Sequence, residues 1–152
     1  MMGSKARHSA APLIIAAALT LSVPACAWDP FAPWDDGDHV LGVVEHFGDP
    51  VQVRVPNEVK RGTAFDVEIV TYGGGCVRKG DTRVEVMGRR VLVTPYDIDI
   101  SGWNSVCTTD IRLFAHKATL RFDTPGPVTI AFQGRRRPQG DLLTIERTVQ
   151  VR

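Results

Sequence analysis

The chain has 152 residues, of which 18 are Lys or Arg and 17 are Asp or Glu, for a formal net charge of +1. So even a balance gives no reason to expect a general nucleic-acid binder, whose footprint is a concentrated basic face. The length suffices for one domain with a modest core and for no more than that.

Residues 1–25 have the layout of an export signal and are set aside before any fold is argued. Lys5 and Arg7 make a positive leader, and an apolar stretch ending in small residues follows. That stretch, residues 13–23, is about eleven residues long, against the roughly twenty that a membrane-crossing helix wants. Removing residues 1–25 takes away Lys5 and Arg7 but no carboxylate, which leaves 16 basic and 17 acidic groups and a body near −1.

The signal ends in Val23-Pro24-Ala25-Cys26. This stretch resembles the lipobox of bacterial lipoproteins, with an aliphatic residue three positions before the cysteine and a small one just before it. The resemblance implies that Cys26 becomes the first residue of the mature chain and carries acyl chains, including palmitate, that hold it durably in a membrane. Ala27, where an aspartate would otherwise stand, implies sorting to the outer membrane of a Gram-negative cell. The other reading of the same residues is a secretory signal cut after Ala25 or Ala27, which gives a soluble secreted protein.

Three cysteines in an exported protein call for one pair and one special residue. Cys76 and Cys107 both lie in the body, so the pair falls to them and leaves Cys26 for another use. Residues 26–38, rich in Pro and Asp and without periodicity, read as a tether. Trp28, Phe31 and Trp34 within it are costly to leave exposed.

Residues 39–152 read as a β domain. Val51, Val53 and Val55 alternate with Gln52 and Arg54, and Phe65, Val67 and Ile69 alternate with Asp66 and Glu68, the period of a strand with one buried face. Val84 and Val86, then Val91 and Val93, flank a Gly88 turn as a hairpin. Ile111, Leu113 and Ala115, followed by Ala118, Leu120 and Phe122, are expected to point inward. A Pro-Gly turn at residues 123–127 leads to two last strands, the second carrying Leu143 and Ile145. No helical apolar stripe is present. Seven to nine short strands predict a single all-β, antiparallel sandwich, with a small barrel as the alternative.

The segments 55–73 and 118–135, each a strand, a Pro or Gly turn and a second strand, resemble the immunoglobulin-like β-sandwiches of bacterial envelope proteins. The resemblance implies architecture and no particular activity, because such sandwiches serve as adhesins, chaperones, scaffolds and enzyme accessories. The antibody-domain pattern is not matched, since Trp103 stands just before Cys107 and not midway between the cysteines.

Several local patterns bear on chemistry. Gly73, Gly74 and Gly75 precede Cys76 without the helix or GxxxxGK pattern of a phosphate loop, so they read as a sharp bend that brings Cys76 to its partner. Asp97, Asp99 and Asp110 can be drawn as calcium ligands, but their spacing is not that of an EF-hand, and no metal or other cofactor is expected. Ser101 lacks a GxSxG elbow, and no catalytic residue is assigned. Arg135, Arg136 and Arg137 form a compact positive patch, expected in a loop at one tip, which with Trp103 makes the candidate contact surface. A concave pocket lined by Asp97, Asp99, Asp110 and His116 would favour catalysis or a metal. The function expected is a non-enzymatic envelope lipoprotein that binds or braces an envelope protein or polymer through its loops, with no nucleic-acid partner. The alternative is a small hydrolase or accessory module acting on envelope polymers.

Overall fold

The structure is a computed structural model that describes residues 37–152 apart from Trp103 and Asn104. The expectations for the signal, Cys26, the tether and Trp103 lie outside the described residues. The body is all-β, and no helix occurs among the described residues. Its strands are β1 (Asp38–Leu41), β2 (Val43–His46), β3 (Val53–Arg54), β4 (Glu58–Val59), β5 (Phe65–Gly73), β6 (Val77–Met87), β7 (Arg90–Asp99), β8 (Arg112–Leu120), β9 (Gly126–Arg137) and β10 (Leu142–Val151).

All ten belong to one hydrogen-bonded sheet that curls on itself. One half runs β6-β7-β9-β10, with β4 at the end of β10, and the other runs β8-β5-β3. The two halves are joined through β2, which pairs with β9 on one side and β5 on the other. The core lies between them: Val67 and Ile69 from β5, Ala118 and Leu120 from β8, Val91 and Val93 from β7, Ile130 and Phe132 from β9, and Val149 from β10. These β-branched and aromatic side chains suit a pleated, half-buried surface. Burying each of the larger ones contributes about 1.5–3 kcal/mol.

The arrangement departs from a wholly antiparallel sandwich of seven to nine strands. Among the described residues it has ten strands and three parallel pairings, β7 with β9, β2 with β9, and β4 with β10. Gly42 divides the first two strands. β7 and β9 run parallel over Arg90–Val93 and Thr129–Phe132 and then separate. β1 lies antiparallel on the far part of β7, and β2 lies parallel on the far part of β9. Between them, the Gly42 N–H donates to Pro95 O at 2.9 Å and Gly42 O accepts from Arg135 N–H at 2.8 Å. The segment 38–46 is thus two arms, each on a different neighbour. Gly42 is needed there because a Cβ would come within 2.5 Å of Thr71 Cγ2 and 3.2 Å of Asp97 Oδ2.

Inward parity holds for β5, where Phe65 is half-buried and Val67 and Ile69 are buried. On β8 it differs from expectation. Ile111 and Leu113 are exposed, and the inward set is His116, Ala118 and Leu120, with Phe114 half-buried. A buried histidine fixes the register of that strand, and an apolar pattern cannot register it. On β6, which pairs with β7 alone, Val84 and Val86 are exposed although they share a face with the core residues Val93 and Val91 opposite them.

Candidate cleft between the diverging strands

Where β7 and β9 part, a cleft of about 660 Å³ opens. Val40, Leu41 and Val43 from the β1 and β2 arms line it, as do Asp97 and Asp99 from β7, Arg135–Arg137 from β9 and the loop Thr108–Ile111. The disulfide Cys76–Cys107, with Cα atoms 5.0 Å apart, pins that loop. The glycine bend serves the role expected of it: Gly74 and Gly75 have φ of +107° and +62°. A Cβ on Gly75 would stand 2.6 Å from Thr108 O, and one on Gly74 would collide with Asp110 O. The bare backbone therefore lets the loop lie against the end of β5.

Asp110 holds the loop in place. Its Oδ1 accepts from the Thr108 hydroxyl and, at 3.3 Å, from Gly75 N–H, and its Oδ2 accepts from Arg112 Nε at 2.6 Å. These bonds, the Thr108 hydroxyl first, then Arg112 and Gly75, lower its pKa from 3.8 to about 2. Asp99 accepts from the Ser101 hydroxyl at 2.5 Å and the Ser101 N–H at 2.8 Å. Those two bonds, with a smaller contribution from the nearby Arg137 charge, hold its carboxyl below the ordinary value.

Asp97 is buried, and its Oδ1 lies 3.0 Å from Nε2 of the buried His116. The Thr71 hydroxyl lies 3.2 Å from the same nitrogen, and the Thr82 hydroxyl lies 3.2 Å from Nδ1. A carboxylate only accepts, so the Asp97 contact places a proton on Nε2, while the Thr82 hydroxyl can donate to or accept from Nδ1. This differs from a hydrolytic triad, in which carboxylate and nucleophile sit on opposite ring nitrogens. Here both crowd one nitrogen, inside the fold. His116 therefore stands behind Asp97 and does not line the cleft. Asp97 Oδ2 is buried with no hydrogen-bond partner among the described residues.

No family model, curated protein or solved structure matches this chain.

Sequence reasoning brought Asp97, Asp99 and Asp110 together, and all three line the cleft. No three His, Cys, Asp or Glu residues group to hold a metal ion among the described residues. The arginines are strand residues of β9 and not a loop, and this sorts them by face. Arg136 is drawn inward, 3.2 Å from Glu45 through Nε and 3.6 Å from Asp141 through Nη1. The Glu45 contact is an ion pair without hydrogen-bond alignment, because Nε has no aligned acceptor. Arg135 and Arg137 are exposed, and neither forms an ion pair among the described residues.

The aromatic side of the cleft had no signal in the sequence beyond scattered single residues. His46 stacks on Tyr72 at a centroid distance of 5.4 Å and meets Phe47 edge-on at 4.7 Å. Phe47 is 69% exposed and has φ +51°, the one non-glycine residue with positive φ among those described.

Proposed function

We propose that this protein is a non-enzymatic envelope lipoprotein, anchored by lipid on Cys26 and spaced from the membrane by residues 26–38. It presents an immunoglobulin-like body whose cleft binds an envelope component. The observation that carries the binding role is the cleft itself. Its loop is fixed by a disulfide and by Asp110, Asp99 and Asp110 are held by neighbouring donors, and Arg135 and Arg137 stand at its rim without ion-pair partners among the described residues. A surface built this way loses little freedom on binding, which is the advantage of preorganisation. The odd cysteine and the lipobox-like Val23-Pro24-Ala25-Cys26 support the tether.

Two measurements on the full-length chain in a Gram-negative host test the reading. The mature protein should begin at acylated Cys26, and Cys26→Ser should move it from the membrane fraction to the soluble one. A photo-crosslinking residue at position 47 should trap an envelope component, and the same residue at position 86 on β6 should not. A mature chain without acyl mass overturns the tether, and equal trapping from the two positions overturns the cleft as the contact surface.

A further inference from the structure

We infer that the cleft takes a carboxylated carbohydrate, such as a segment of an acidic envelope polysaccharide. This rests on the binding role proposed above and names the ligand class for the same site. Two features of the cleft mouth and one buried acceptor in its lining point the same way.

The first is Phe47. A phenylalanine in left-handed backbone is a local conflict, and such conflicts persist where the surrounding structure enforces them, often at ligand clamps. Here the enforcement is visible, since Phe47 N–H donates to Arg137 O at 3.0 Å and Gly48 follows with φ +90°. The result is a large ring held in solvent and braced by His46, which itself leans on Tyr72. A sugar ring offers apolar C–H faces that stack on such rings.

The second is the pair Arg135 and Arg137, on the same face of β9 and free of ion-pair partners among the described residues. A guanidinium fork matches a carboxylate through two parallel hydrogen bonds. Two residues apart on a strand, the two arginines are spaced about 6–7 Å along it, so they meet successive charges of an extended ligand.

The third is Asp97. It lines the cleft, and its Oδ2 is a buried acceptor with no donor among the described residues. A sugar hydroxyl supplies a donor, whereas a plain anion does not.

The test is a titration of the purified full chain, followed through its backbone amide resonances, with three hexamers: galacturonate, neutral galactose and glutamate. Hexagalacturonate should shift the amides of Phe47, Gly73 and Arg137 saturably, with neutral hexagalactose and hexaglutamate each at least tenfold weaker. Arg137→Gln and Phe47→Gly should each weaken the sugar at least tenfold. Phe47→Gly suits the local backbone and keeps the test sound if Phe47→Ala folds poorly, and Val86→Ser should change nothing. Equal binding of hexaglutamate would show attraction by charge alone and overturn the assignment, as would an absence of saturable shifts. Crosslinking from position 47 to a protein, without any sugar response, would leave the binding role standing and overturn the carbohydrate.

Discussion

His116 Nε2 on β8 stands 3.0 Å from Asp97 Oδ1 on β7, so one buried contact ties the two halves of the curled sheet across the core. The hydroxyls of Thr71 and Thr82 complete the site from β5 and β6. Removing one partner of a buried charge-bearing pair leaves the other without compensation, which costs about 3–5 kcal/mol, whereas replacing both with apolar groups is often close to neutral. Urea unfolding of His116→Leu should show a loss of that size, and the double variant Asp97→Val with His116→Leu should recover a large part of it. Two single losses that simply add would mean that the residues do not act as a pair.

That tie also marks where the sequence stops being legible. Period-two alternation read correctly on β5, where Val67 and Ile69 are buried, and on β10, where Leu143 and Ile145 pack against the core. The same rule misplaced Ile111 and Leu113, since it could not know that His116 and Thr71 occupy core positions, each satisfied by a partner distant in the chain. The parallel pairings were hidden for a related reason: they join segments distant in the chain, a tertiary matter. The Cys76–Cys107 bridge was legible because counting alone constrains it. The cleft was half legible, its aspartates and arginines standing out as charged clusters while His46 and Tyr72 meet only after folding.

Gly42 sits at the change of neighbour between β1 and β2, against Thr71 Cγ2 and Asp97 Oδ2. Forcing a methyl group into well-packed surroundings costs about 1–3 kcal/mol. Gly42→Ala should lower the urea midpoint accordingly and shift the amide resonances of Asp97 and Arg135. An unperturbed midpoint would mean that the arms can separate freely at this point.

The bridge closes a loop with a sequence separation of 31. The chain-entropy relation gives it a contribution of about 3.5–4 kcal/mol, a large share of the roughly 5–15 kcal/mol typical of a whole domain. Replacing both cysteines with serine should lower unfolding free energy by that order and speed amide exchange across Thr108–Ile111. The native protein should carry two hydrogens fewer than its reduced mass, and free thiols at both positions would contradict the bridge.

Asp110 connects that loop to pH. Its folded pKa of about 2 lies below the ordinary 3.8, so the fold favours its charged form. The contribution is fully present above the unfolded value and is lost as pH falls through the folded one. Stability of the native protein should therefore decline between pH 4 and pH 2, with Gly75 N–H losing protection over the same interval. In Asp110→Asn this part of the decline should vanish, because an amide does not titrate. An identical pH profile for the two proteins would place the acid sensitivity elsewhere.

Phe47 sets stability against binding. An L residue in left-handed backbone costs about 1–2 kcal/mol, and the exposed ring recovers little of that by burial. Glycine removes the steric cost but adds about 0.5–1 kcal/mol of unfolded-state entropy. Phe47→Gly should therefore stabilise the body by about 0.5–1 kcal/mol. The same change deletes the ring that meets His46 at the cleft mouth, so the more stable variant should be the poorer binder. Opposite movement of the unfolding midpoint and of hexagalacturonate affinity in one variant would identify the strain at Phe47 as functional. A variant that gains stability and binds as before would show the ring to be incidental to the site.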